Sequence, residues 1–277
     1  MSESESLPPW RSDATSLPEY WPGLPEEPDF EREPEEKPPL DLWAAVGGER
    51  PWATLLLVFS WCLVFMAMGM AHVAGDVNAE LAWGGLPTPH LAAPSAWRWL
   101  AYTAVHANIG HLASNAFVML VLGQAVERIF TRAHLLLLFV LGAIGGAAGT
   151  LAWEGFAHPD QSIVSVGASG AIFALGAALL VAAWRLREKL AVSRARALAA
   201  SVLWLVVPGL FVGFQQPHVG NAAHVGGFMV GAAGALALGL DPRLGVRAPT
   251  ALTRWAGTLA AIALAACYTM GFVSGTR

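Results

Sequence analysis

The sequence predicts an all-α polytopic membrane protein, with a six-helix core, one further C-terminal transmembrane helix and a cytoplasmic amino terminus. Three observations carry this reading. Of 277 residues only 13% are charged while 55% are hydrophobic, whereas soluble domains carry about 25% charged residues. The apolar residues gather in windows without Asp, Glu, Lys or Arg, at 51–75, 99–126, 133–153, 161–184, 197–240 and 255–276. A helix of roughly 20 such residues crosses the hydrocarbon core of a bilayer. The bases between the windows fall almost entirely on alternate connections.

Residues 1–50 hold 13 of the 20 acids, 4 of the 16 bases and nine of the 18 prolines, for a net charge of −9 against +5 on the remainder. Such a segment cannot sustain helix or bury a core, and it reads as a disordered acidic, Pro-rich cytoplasmic tail. It has no apolar stretch with a basic flank, so it is not a cleavable signal, and it is too acidic for a transit peptide.

The window 51–75 gives span 1. The connection after it, about 76–105, is long and apolar and holds Pro87, Pro89 and Pro94 with Trp83, Trp97 and Trp99. Prolines at that density break a spanning helix, and tryptophans favour the headgroup region, so an interfacial, membrane-embedded loop is expected. The next three windows give spans 2, 3 and 4. The window 197–240 is too long for one helix, and the polar, Pro- and Gly-containing stretch 215–221 divides it into spans 5 and 6. Residues 242–277 supply a cytoplasmic loop and span 7. Cys62 and Cys267 both lie in apolar windows and read as small packing residues, not as a disulfide or a metal set.

With the tail inside, the inner connections carry Arg128 and Arg132, then Arg185, Arg187, Lys189, Arg194 and Arg196, then Arg243, Arg247 and Arg254; the outer side has Arg98 and Arg277. The positive-inside rule therefore places the carboxyl terminus outside, and spans 2, 4 and 6 enter from the outer face. The expected location is the plasma (inner) membrane.

Polar side chains at membrane depth are costly, so each marks a candidate site. Span 2 has His111 and Asn115 four residues apart on one helix face, with His106 at its entrance. Span 4 has Ser169 between Gly167 and Gly170, and span 6 has His224. All three helices descend from outside, and these residues fall in their first turns, so they share one shallow depth and one site. A serine hydroxyl becomes nucleophilic when an adjacent imidazole takes its proton. The oxyanion formed on attack needs preplaced donors, and Asn115, His111 and the Ser169 amide are the candidates. Gly227 and Gly231 give span 6 a small-residue face that admits a close neighbour. If that neighbour is span 4, Ser169 and His224 come within hydrogen-bond reach.

At these residues the chain resembles the rhomboid intramembrane serine proteases over about 51–241. The resemblance rests on Trp97-Arg98, on the run His106, His111 and Asn115, on Gly167 and Gly170 around Ser169, and on Ala223-His224 with Gly226 and Gly227. It implies Ser169 as nucleophile, His224 as general base and acid, and His111, Asn115 and the Ser169 amide as oxyanion site. It implies ordering roles for Arg98, in the interfacial loop, and Glu127, at the inner end of span 2. The family usually has Tyr four residues after the nucleophile; here Phe173 keeps the ring face and loses the hydroxyl. The implied substrate is a single-span membrane protein cut near its outer end, where the helix unwinds, with span 5 and the loop 215–221 as gate. The partners are thus transmembrane protein substrates and the lipid bilayer, with no nucleic acid and no cofactor.

Other classes fit less well. A transporter or proton channel lines its path with charged groups deep in the bilayer, and the windows have none. Zinc proteolysis lacks H-E-x-x-H, and no G-x-G-D pattern of an intramembrane aspartyl protease occurs. The remaining alternative is a catalytically silent rhomboid-like membrane protein that binds transmembrane segments.

Overall fold

The computed structural model of the protein describes residues 39–47, 50–71, 75–88, 95–157, 163–215, 220–245 and 248–277. Most of the expected tail, Pro89 and Pro94 of the interfacial loop and residues 216–219 of the expected gate lie outside them. The elements in chain order are α1 (Leu42–Val46), α2 (Trp52–Met70), α3 (Val77–Ala82), β1 (Leu86–Pro87), α4 (Arg98–Ala101), α5 (Ile109–Ile129), α6 (Arg132–Ala157), β2 (Val164–Ser165), α7 (Ser169–Arg185), α8 (Val192–Gln215), α9 (Asn221–Ala237) and α10 (Ala251–Gly275). The apolar windows become helices because a backbone deprived of water must satisfy its own hydrogen bonds. Helices α2, α5, α6, α8 and α10 are long and apolar enough to cross a membrane. Helices α7 and α9 have 17 residues each, about 25 Å at 1.5 Å per residue. Large apolar side chains such as Phe59, Met66, Phe117, Trp204, Phe211 and Leu259 point outward, a distribution suited to lipid as solvent.

Helix α7 is the centre of the bundle. Twelve of its 17 residues are buried, mostly Gly and Ala, and it packs against α5, α6, α8 and α9. Its contact with α9 is backbone on backbone. A Cβ at Gly227 would strike the Gly170 carbonyl, and one at Gly231 would strike the Ala174 backbone. The facing side of α9 meets α6 in the same way, with Gly226 against Gly145 and Gly149. At the far end Arg185 Nη1 donates to the C=O groups of Ala235 and Leu238 at 3.3 and 2.6 Å. The last carbonyls of α9 are thereby satisfied by a charged donor from α7.

The end of the acidic segment departs from the expectation of a disordered tail through residue 50. Asp41 accepts from the Ala44 N–H at 3.2 Å and pairs with Arg194 at 3.3 Å, and Leu40 N–H donates to Lys189 C=O at 2.8 Å. Leu42 and Val46 are buried at 5% and 0% exposure. Their spacing of four puts both on one face of α1, a local pattern hidden when composition is averaged over 50 residues. The Trp expectation also needs correction at one position. Trp83 is buried at 4% exposure, edge-on to Phe272 of α10 with ring centroids 5.4 Å apart. It is covered because α10 presents Gly271 and Gly275 there.

Glu127, at the end of α5, caps the first turn of α2. Its carboxylate accepts from Ala53 N–H at 3.1 Å, Thr54 N–H at 3.0 Å and Thr54 Oγ1 at 2.9 Å, and it pairs with Arg132 at 3.2 Å. A carboxylate there satisfies orphan amides and complements the positive helix end. Glu127→Ala leaves those buried donors unpaired and is expected to cost about 1–3 kcal/mol; thermal unfolding of the full chain in micelles measures it. Gly227→Ala or Gly231→Ala overpacks the α7–α9 contact and is expected to cost about 1–3 kcal/mol. An unchanged unfolding midpoint in either variant would contradict the backbone-on-backbone packing.

Candidate active site

The N-terminal ends of α5, α7 and α9 converge. Ser169 is the first residue of α7, His224 the fourth of α9, and His111 and Asn115 the third and seventh of α5. Three positive helix ends thus face one small volume, an environment favourable to negative charge.

Ser169 Oγ lies 2.9 Å from His224 Nε2. The α7–α9 contact produces this distance, since Gly227 sits one turn below His224 and rests on Gly170, next to Ser169. The neighbour of the α9 glycine face is therefore span 4. His224 is 3% exposed, and its imidazole lies flat on Phe173 with centroids 4.2 Å apart and an interplanar angle of 0°. Phe173 is one turn below Ser169 on the same helix face, so one helix supplies both the hydroxyl and the surface that fixes the ring opposite it. Gly209 of α8 borders the far edge of the Phe173 ring. His224 Nδ1 has no hydrogen-bond partner among the described residues.

Gly167 supplies the other half. Its φ of +109° belongs to a region that favours glycine, and a Cβ on it would lie 2.5 Å from His111 Nε2 and 3.4 Å from Asn115 Nδ2. The bare backbone just before Ser169 is therefore flanked by the His111 ring and the Asn115 amide. Asn115 is buried at 6% exposure, and its Nδ2 has no partner among the described residues. A donor held buried and free beside a serine is what an oxyanion site requires. The start of α5 is fixed by Asn108, whose side chain accepts from His111 N–H at 2.9 Å. His106 is fully buried between Trp61 and His111, at centroid distances of 5.7 and 5.1 Å.

Several contributors were not picked out from sequence. The turn holding Gly167 is pinned by Tyr102 C=O, which accepts its N–H at 2.9 Å, and the Tyr102 hydroxyl donates to Ala143 C=O at 2.9 Å. Strand β1 of the interfacial loop pairs antiparallel with β2, Leu86 opposite Ser165. Thr88 N–H donates to Ile163 C=O at 2.8 Å, extending that pairing. Arg98, for which the resemblance implied an ordering role in this loop, holds it from the other side: its Nη1 donates to Leu81 C=O and, at 2.9 Å, to Gly85 C=O, and its guanidinium lies 4.5 Å from the Trp97 ring. Burial lowers the pKa of Arg98 from its ordinary value. Two-residue strands have no periodicity to detect. The signals within reach were Asn108 at a cap position before His111 and the Pro-flanked, extended Leu86-Pro87.

Residues 93–240, just over half of the chain, match the model of the Rhomboid domain. The chain belongs to the rhomboid family. It is 28% identical over 196 residues to the rhomboid protease GluP of Bacillus subtilis, covering 71% of this chain and 36% of that protein. It is 32% identical over 152 residues to RHOMBOID-like protein 5 of Arabidopsis thaliana, covering 54% and 46%. It is 27% identical over 168 residues to the rhomboid protease AarA of Providencia stuartii, covering 53% and 57%. The chain therefore spans between about a third and just over half of the length of these relatives.

Gly167→Ala forces a left-side backbone on a residue with a Cβ and drives that Cβ into His111. The expected outcome is destabilisation of about 1–3 kcal/mol with a folded bundle retained. Thermal unfolding and helical circular dichroism check it, and an Ala variant as stable as the parent would contradict the geometry of the turn.

Proposed function

We propose that this chain is an intramembrane serine protease that hydrolyses a peptide bond near the outer end of single-span membrane proteins. The observation that carries the reading is the 2.9 Å contact between Ser169 Oγ and His224 Nε2, with His111 and Asn115 on the other side of Gly167. Relatives named rhomboid proteases support it.

The steps follow from these positions. His224 Nε2 takes the Ser169 proton as Oγ attacks the scissile carbonyl. The oxyanion is met by donors from Asn115, His111 and the Ser169 amide, at the positive end of α7. His224 then protonates the leaving amine, and water attacks the acyl-enzyme by the same steps in reverse order of roles. The flat contact with Phe173 holds the imidazole through both transfers. With Nδ1 unpartnered among the described residues, none of their carboxylates orients His224, and stacking takes that role.

In the same reading the seven helices α2 and α5 to α10 all cross the bilayer, in a six-plus-one arrangement. The core runs 51–241, extended back to the docked segment from residue 39, and 242–277 adds the last loop and span. The amino terminus is cytoplasmic, the carboxyl terminus outside, and the membrane the plasma (inner) membrane. The gate is α8 with the loop 215–221. Helix α8 is supported here by being the least buried of the five long apolar helices and by Pro208 inside it, which removes a backbone hydrogen bond and permits a bend.

Purified protein in liposomes with a generic single-span substrate tests the proposal. Ser169→Ala and His224→Ala are each expected to lower cleavage by on the order of 10⁴-fold or more, and Asn115→Ala by about 10²–10³. A fluorophosphonate should label the parent at Ser169. Absence of both cleavage and labelling would favour a silent rhomboid-like protein that binds transmembrane segments. Phe173→Leu removes the stack but keeps an apolar side chain; since an aromatic pair is worth about 0.5–1.5 kcal/mol, cleavage should fall by about two- to tenfold. No change would remove Phe173 from the account.

A further inference from the structure

Helix α10 lies outside the matched domain, yet it sends one polar side chain into the layer behind the site. The Tyr268 hydroxyl accepts from Trp61 Nε1–H at 3.3 Å and lies 2.7 Å from Thr103 Oγ1. Thr103 Oγ1 in turn lies 2.7 Å from Leu100 C=O, which can only accept. Thr103 therefore donates to Leu100 and accepts from Tyr268. The result is one directed chain, Trp61 N–H to Tyr268 O–H to Thr103 O–H to Leu100 C=O, in which every proton has an acceptor. Trp61 and Thr103 are both fully buried, where an unpaired polar group is costly.

Both arms of this chain lead to the same place. Trp61 stacks obliquely on His106, which meets His111 edge-on, and His111 lies against Gly167. Thr103 belongs to the 3₁₀ turn 102–104, whose Tyr102 C=O holds the Gly167 N–H. One hydroxyl on α10 thus fixes the His111 side and the backbone side of one turn.

We propose that Tyr268 is a positioning residue for the oxyanion side of the site, holding His111 and the Gly167 turn in register through Trp61–His106 and through Thr103–Tyr102. This inference rests on the proposed protease function. A residue that merely anchored α10 would affect stability and leave the site geometry alone. A positioning residue acts on the transition state, so it changes kcat with KM kept.

Tyr268→Phe keeps the ring and deletes the hydroxyl. Expected in liposomes is a kcat lowered about tenfold, a fraction of what loss of an oxyanion donor costs, with KM unchanged. In a His111→Ala background the same change should cost less than in the parent, because the arm through Trp61 and His106 is then silent and only the arm through Thr103 and Tyr102 remains. Imidazole nitrogen-15 spectra of the full chain in micelles supply a readout independent of activity: the His106 and His111 resonances should move, while that of His134, which contacts Thr253 on the same helix, stays. Static His106 and His111 resonances, or an equal loss of kcat in both backgrounds, would overturn the proposal. If Tyr268→Phe does not fold, Thr103→Val breaks the arm to the 102–104 turn while leaving the Trp61 bond to Tyr268; it is expected to lower kcat with KM kept, and an unchanged kcat would overturn the proposal. Cleavage by Ser169→Ala at the parent rate, measured with Tyr268 intact, is the separate result that removes the protease reading, and this inference falls with it.

Discussion

Two helices that touch through their backbones set the positions of everything else in this molecule. Lipid tails are as apolar as leucine, so helices in a bilayer gain little from burying apolar side chains against each other and are held by close packing instead. On α9 the residues Gly227 and Gly231 offer no side chain, and on α7 they meet Gly170 and Ala174. A side chain of ordinary size at any of these positions would push the axes apart by more than a hydrogen bond tolerates. The distance from Ser169 to His224 is therefore a consequence of helix separation one and two turns below the site, and the Phe173–His224 stack depends on the same separation.

The half of the site around Gly167, proposed above as the oxyanion side, obeys a different constraint. Gly167, Ser169 and the end of β2 form an irregular turn at the head of α7, and irregular backbone within a bundle persists only where other groups satisfy it. Tyr102 C=O, β1 and Thr88 do so from the interfacial loop, and Arg98 fixes that loop by binding two of its carbonyls. The loop is thus a support of the site. Helix α10 closes over it through Trp83 and Phe272, and through Tyr268.

Much of this was legible in residue order. Charge-free windows gave the helices, because burial in lipid excludes charges from every position of a span. His111 and Asn115 at i and i+4, and Ser169 and His224 at the heads of alternate helices, were legible as one cluster because those helices start from the same side. The docking of Leu42 and Val46 was obscured by the prolines and acids around them, and the burial of Trp83 by the fact that its cover, α10, is nearly 200 residues away.

By itself the sequence determined which segments are apolar helices and which polar side chains stand near their heads, since these follow from the cost of charge in hydrocarbon. It also offered one small-residue face, Gly227 and Gly231 on span 6, without saying which helix it joins. Only the tertiary structure decided that α9 meets α7, that Gly167 turns beneath His111, that β1 pairs with β2 and that Tyr268 reaches Trp61 and Thr103. Each of these is a contact between residues remote in the chain, fixed by how the helices pack against one another, and no local pattern encodes it.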